Sequence, residues 1–270
     1  MAGLVAERLQ ARGERPAILS RGYGRRDVAD GVVVVRDPDG IRADVDRAGD
    51  EPLMLARQLD GVAVLVSPNR YLAGRLAELH FGCTVHVLDD GFQHFALHRD
   101  ADLVAVAPED LTDARTLPAG RLREPLDAAS AADAFVALDG ADVSSLAGGR
   151  PVWRVQRSLR GLPRGRVFAI AGIARPRGFF EGLRAAGCDV AGELSFADHH
   201  LYSRRDVDRI VETARASSAP VVVTTEKDLV RLLRFRPFAV PFVAVPLALD
   251  LDDSAGFDAW LAAAVERARA

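Results

Sequence analysis

The chain has 270 residues, 49% of them hydrophobic and 27% charged, with 23 Gly and 14 Pro; this ordinary globular composition excludes disorder, collagen and disulfide scaffolds. Thirty-five basic residues against 38 acidic leave a net charge of −3, so there is no overall positive field to hold a nucleic-acid backbone, and no nucleic acid is expected among its partners. Cys83 and Cys188 stand far apart without metal-ligand spacing, which fits a reducing cytoplasm, and no apolar run approaches the roughly 20 residues that span a bilayer.

In chain order, residues 2–12 read as an amphipathic helix carrying Leu4, Val5 and Leu9 and ended by Gly13, with no capping residue and no strand before it. Near-continuous apolar runs then predict buried strands at residues 16–19, 32–35, 62–66, 84–88, 103–107, 167–171, 221–224 and 242–245. Between them lie helical faces carried by Leu72, Leu76 and Leu79, by Phe179, Phe180 and Leu183, and by Leu261, Ala264 and Val265. The alternation predicts an α/β fold with a doubly wound, mostly parallel sheet. Gly148, Gly149, Pro151, Gly161, Pro163 and Gly165 mark residues 139–166 as the domain boundary, with a smaller α/β unit starting near Val167.

In open α/β sheets ligands sit beyond the carboxyl ends of strands, and polar clusters follow several of these runs. Asp89-Asp90-Gly91 closes the strand at 84–88 in the form of a Walker-B element, whose carboxylates face a Mg²⁺ on nucleotide phosphates; a plain Asx turn is the alternative. Ser20-Arg21-Gly22-Tyr23 offers hydroxyls and a guanidinium to phosphate or sugar oxygens, or forms a surface turn. Gly49-Asp50-Glu51-Pro52 places two carboxylates where a helix begins, with Pro52 near its first position; Asp50 is then a candidate for chemistry or a simple cap. Arg121 and Arg123 ride a loop at 118–125, where solvation competes with binding. In Asp198-His199-His200 a carboxylate can polarise an imidazole, although adjacent histidines in an extended segment point apart and do not make a metal site. Thr224-Thr225-Glu226-Lys227-Asp228 ends a strand and opens a helix whose N–H groups suit an anion, unless Lys227, the only lysine, pairs with its acidic neighbours.

These clusters, together with Leu117-Pro118-Ala119-Gly120, Leu122-Arg123-Glu124-Pro125, Gly172-Ile173-Ala174-Arg175-Pro176 and Phe196-Ala197-Asp198-His199, stand in an order that resembles the tetraacyldisaccharide 4′-kinase family of lipid A biosynthesis, from residue 2 to about 250. The resemblance implies a P-loop-kinase-like nucleotide-binding domain at 1–150, a smaller C-terminal domain at 151–250, a C-terminal helix at 251–270, and an active site in the cleft between the domains. It implies ATP and Mg²⁺ as cofactors and transfer of the γ-phosphate to the 4′-hydroxyl of an acylated glucosamine disaccharide 1-phosphate. It assigns Asp50 and His199 as the base pair for that hydroxyl, and Asp89 and Asp90 as catalytic and metal-binding carboxylates. Ser20, Arg21, Tyr23, Arg123 and Glu124 are the substrate- or phosphate-binding candidates. The expected setting is peripheral, at the inner-membrane surface on its cytoplasmic face, and the expected state is a monomer.

One departure from the family pattern concerns the phosphate-binding loop. The family carries a Gly-Gly-Thr-Gly-Lys-Thr loop just before the helix that corresponds to residues 2–12, and no such sequence occurs in these 270 residues. The expectation is that about 40 or more upstream codons encode a strand plus that glycine-rich loop; the apolar segment by which the family sits on the membrane is likewise not found in these residues. The chain as written is expected to be soluble if that segment is the anchor, to bind ATP poorly and to turn over slowly or not at all. A non-catalytic homologue that binds the lipid precursor, or an inactive fragment, is the competing expectation.

Overall fold

In the computed structural model, which describes residues 1–27 and 30–270, the chain forms two compact units. One is built from Met1–Ser20, Arg70–Arg157 and Leu249–Ala270, the other from Arg21–Asn69 and Ser158–Ala248. In chain order, the first segment holds α1 (Ala2–Ala11) and β1 (Pro16–Ser20), and the second holds β2 (Val33–Asp37), β3 (Gly40–Ile41), α2 (Val45–Ala48), α3 (Asp50–Gln58) and β4 (Ala63–Val66). The third holds α4 (Arg70–Phe81), β5 (Val85–Leu88), β6 (Leu103–Val106), α5 (Pro108–Thr112), β7 (Ala134–Leu138), α6 (Ser144–Ala147) and most of β8 (Val152–Leu159). Next come β9 (Arg166–Ala171), α7 (Pro176–Ala185), β10 (Asp189–Ser195), α8 (Arg204–Ala216), β11 (Val221–Thr225), α9 (Glu226–Leu232) and β12 (Phe242–Val245); β13 (Leu247–Leu251) and α10 (Ser254–Arg269) close the chain. Every strand run read from the sequence is present. The chain passes from one unit to the other after Ser20, Asn69, Arg157 and Ala248, and the passages after Ser20 and Asn69 carry no shift in composition.

In the first unit, β1 is buried along its whole length and pairs in parallel with β5, Pro16 opposite Val85 through Leu19 opposite Leu88. β6, β7 and β8 form a second parallel set. Its core holds Val106, Phe135, Ala137 and Val143, while Trp153 meets the edge of Phe257 at 5.0 Å. Two expectations change here. The stretch 139–166 contains β8, whose alternation buries Trp153 and Val155 and exposes Arg154 and Gln156. Helix α4 turns Leu72 (48% exposed) and Leu79 (70%) outward and buries Ala73, Gly74 and Ala77. Close packing is the reason: a Cβ on Gly74 would lie 3.1 Å from the His86 ring.

In the second unit, β10, β9, β11 and β12 lie side by side, all parallel. Alternate residues of β9 serve opposite faces: Val167, Ala169 and Ala171 pack with Phe179, Phe180 and Leu183 of α7, while Phe168 and Ile170 pack with Val207, Ile210 and Val211 of α8. Helices therefore cover both faces, the doubly wound arrangement expected. β2 adds antiparallel pairings with β3 and β4. Helix α8 opens with a reciprocal cap in which Asp206 N–H donates to Ser203 Oγ (3.2 Å) and Ser203 N–H to Asp206 Oδ2 (2.8 Å).

Candidate active site

Gly49 ends α2 and caps α3 with φ 85°, and a Cβ there would lie 3.1 Å from the Tyr23 carbonyl oxygen, so the turn that delivers Asp50 requires glycine. Asp50 is the first residue of α3, placing Pro52 third rather than first. Its carboxylate is buried, at 7% exposed. Oδ1 accepts the Glu51 N–H at 3.0 Å; Oδ2 lies 3.0 Å from His199 Nδ1 and 3.5 Å from Arg231 Nε. A carboxylate has about four acceptor sites; hydrogen bonds from Glu51 and His199 use two, and the guanidinium stands by as an ion pair, so Asp50 retains room for a further donor. Capping and chemistry are not alternatives at this residue: one oxygen serves the helix and the other faces His199.

His199 sits on the loop after β10 with φ 54°, a left-handed conformation uncommon for a residue with a Cβ. Asp198 Oδ1 accepts its N–H at 3.0 Å, and the Tyr23 ring meets its imidazole edge-on at 6.0 Å. Against an ionised carboxylate, Nδ1 is the donor. His200 faces elsewhere, stacking on Phe196 at 4.7 Å and reaching Asp206 Oδ2 at 3.3 Å.

Around Asp50 lies a buried polar network that sequence reasoning did not assign. Asp228 is fully buried, with Oδ1 accepting from Tyr202 OH at 2.9 Å and Oδ2 from the Gly172 N–H at 3.0 Å and Thr225 Oγ1 at 2.6 Å. Arg231, 6% exposed, places Nη2 3.4 Å from Asp228 Oδ1. Burial, then the Asp228 charge, push the Tyr202 phenol far above its ordinary range, keeping it a neutral donor. Gly172 leaves room for this network: a Cβ would stand 2.9 Å from both Asp228 Oδ1 and Tyr202 OH. The only sequence trace of this network was the Thr225-x-x-Asp228 cap and the Asp228-x-x-Arg231 spacing, which puts both charges on one helix face.

Asp50, His199, Tyr202 and Arg231 line a cavity of about 70 Å³ with Asp46, Arg26, Arg234 and Leu201. That volume admits a hydroxyl or a couple of waters, not a sugar ring. At its mouth Arg234 Nη1 meets Asp46 at 3.2 Å. Lys227 does not pair with its neighbours in sequence but with Glu51, at 2.8 Å, which ties α9 to α3.

The first unit holds the other acidic group. Asp89 and Asp90 form the turn after β5. Ser20 Oγ, at the buried end of β1, donates to Asp89 Oδ2 at 3.3 Å. Asp90, in the left-handed region at φ 52°, is 62% exposed and meets Arg123 at 2.6 Å. Among the described residues no three His, Cys, Asp or Glu converge as a metal cluster. Two carboxylates and a hydroxyl are nevertheless an apt donor set for Mg²⁺, which binds hard oxygens and takes its remaining ligands from water and substrate phosphates. Of the remaining candidates, Tyr23 stands at His199, Glu124 is half-buried, and Arg21 is exposed with no ion pair among the described residues.

A sequence model of the family described as tetraacyldisaccharide-1-P 4′-kinase matches residues 1–266. The tetraacyldisaccharide 4′-kinase of Koribacter versatilis is 43% identical over 249 residues, covering 88% of this chain and 75% of the relative. That of Geobacter sulfurreducens is 37% identical, covering 97% and 78%. The crystal structure of LpxK from Aquifex aeolicus in complex with ATP superposes with a TM-score of 0.77 at 29% identity, covering 97% of this chain and 82% of that one. Matched along almost its whole length in both sequence and fold, the chain belongs to the tetraacyldisaccharide-1-P 4′-kinase family.

Proposed function

We propose that this protein is the ATP-dependent kinase that phosphorylates the 4′-hydroxyl of a tetraacyldisaccharide 1-phosphate, with Asp50 as proton acceptor. The observation that carries the assignment of the base is the 3.0 Å contact between the buried Asp50 carboxylate and His199. A sugar hydroxyl is a poor nucleophile at neutral pH and needs its proton removed as it attacks phosphorus. The free acceptor site on Asp50 takes that proton, the 4′-oxygen bonds to the γ-phosphorus, the bond from phosphorus to the β,γ-bridging oxygen breaks, and ADP leaves with the electron pair. His199 Nδ1–H holds Oδ2 in place and stabilises the carboxylate until the proton is passed on.

Asp89 and Asp90 would hold Mg²⁺, with Ser20 orienting Asp89. Bound with the nucleotide, that ion offsets negative charge on the phosphates. Arg123, now on Asp90, is a candidate cation for the transferring phosphoryl group, and Tyr23 packs beside His199 at the acceptor side. The reading takes the protein to act peripherally at the inner membrane's cytoplasmic face, as a monomer; no helix among the described residues is long and apolar enough to cross a membrane. The non-catalytic alternative is disfavoured by the kinase names of its relatives and by an intact Asp50–His199 pair.

The test is product analysis after incubating the protein with MgATP and tetraacyldisaccharide 1-phosphate. The expected product is heavier by one phosphate, with a second ³¹P resonance coupled to the proton at C4′. Recovery of unmodified lipid with intact ATP would refute the reading.

A further inference from the structure

Arg231 carries a permanent charge almost out of reach of water, at 6% exposure, and has no part in the chemistry described so far. Its guanidinium contacts backbone in three directions: Nε donates to Lys227 O at 3.2 Å, Nη1 to His200 O at 3.3 Å and Nη2 to Gly172 O at 3.2 Å. The same group lies 3.5 Å from Asp50 Oδ2 and 3.4 Å from Asp228 Oδ1. Asp228 alone accounts for the charge balance of a buried arginine. It does not account for the reach toward Asp50 and the His200 carbonyl. That carbonyl adjoins His199, whose left-handed backbone costs of order 1 kcal/mol and persists only where its surroundings over-determine it.

We infer that Arg231 is a positioning residue for the proton-accepting pair. One rigid, planar guanidinium hydrogen-bonds the His200 carbonyl, one residue after His199, and lies as an ion pair against Oδ2 of Asp50, so the imidazole and the carboxylate keep their contact before substrate arrives. Asp228, itself gripped by Tyr202, Thr225 and the Gly172 N–H, keeps the fork from rotating. This rests on the kinase reading, because the positioning matters to catalysis only if Asp50 takes the proton.

The test compares wild type, Asp50→Asn, Arg231→Met, Arg231→Lys and the Asp50→Asn/Arg231→Met double variant for γ-phosphate transfer to the lipid. The imidazole ¹H–¹⁵N spectrum of each protein is recorded without nucleotide. Arg231→Met is expected to lower kcat by about tenfold or more with KM little changed, since a small misplacement of reacting groups costs that much. Arg231→Lys, which keeps the charge but not the fork, should recover only part of the loss. In the double variant the second substitution should add little, because both act on the same group. The His199 signal should move in Arg231→Met.

Wild-type kcat in both Arg231 variants would overturn the inference. So would losses that multiply in the double variant while the His199 signal stays in place, the pattern of a merely structural residue. If Arg231→Met does not fold, as judged by its melting, Arg231→Lys decides by the same kcat and imidazole readouts. Full turnover in Asp50→Asn would instead overturn the kinase chemistry and this inference together, whereas an inactive Asp50→Asn beside fully active Arg231 variants would overturn this inference alone.

Discussion

Asp50 in one unit and the Asp89–Asp90 turn in the other are both acidic groups where strand or helix meets loop, yet they are held in opposite ways. Asp50 is 7% exposed and contacted by a backbone N–H, an imidazole and a guanidinium. Asp90 is 62% exposed, and its partner Arg123 is itself 58% exposed. An exposed pair of that kind contributes roughly 0–1 kcal/mol and exchanges readily. The difference suits the two tasks proposed for these residues. A proton acceptor gains most when its geometry is set before the substrate arrives, because ordering it afterwards would raise the barrier. Carboxylates that take a metal together with a nucleotide must stay reachable and able to trade one cation for another.

The largest effect should come from Asp50→Ala, which is expected to lower turnover by about 10²-fold or more, the scale of a positioned general base; steady-state kcat at saturating MgATP checks it. Asp89→Ala breaks the comparison from the other side. It should shift the Mg²⁺ titration of activity to higher concentration, whereas Asp50→Ala should leave that midpoint in place. If both variants move the midpoint alike, the division of labour is wrong.

Gly172→Ala tests how stiff the network around Asp50 is: its methyl group would press on Asp228 and Tyr202, at a cost of about 1–3 kcal/mol measured by denaturant unfolding. Arg123→Ala should change stability by less than about 1 kcal/mol in the same experiment, as an exposed pair requires.

The smallest effect concerns alkaline pH. Because the folded-state pKa of Tyr202 is raised, its stabilising contribution is fully present below the ordinary phenol value of about 10 and is lost as pH rises beyond it, where the unfolded chain releases the proton more easily. The melting temperature should therefore fall between about pH 9 and about pH 11, and less so in Tyr202→Phe.

Parallel strands were legible because burial on both faces writes them as continuous apolar runs, as in Val167 to Ala171. β8 was not, because its alternating Trp153-Arg154-Val155-Gln156 pattern sits among glycines and prolines that read as a linker. The outward face of α4 defeated periodicity for a different reason: small residues pack closer to a sheet than leucines, and a hydrophobicity pattern carries no signal for that. At the site, Asp50 and His199 were readable through the order of motifs, while each alone looked like an ordinary cap and an ordinary loop histidine. Arg231 left no comparable trace. Its identity as a buried contact of Asp50 comes from helices α3 and α9 and the loop after β10 meeting in space, and no local spacing encodes that.

The central claim is that the buried carboxylate of Asp50 receives the proton of the 4′-hydroxyl. The most direct measurement is the single-turnover rate of phosphate transfer for wild type and for Asp50→Asn, which keeps the side chain's shape but removes its basicity. The expected result is a rate at least about 10²-fold slower in the variant with MgATP binding unchanged. Equal rates in the two proteins would contradict the claim.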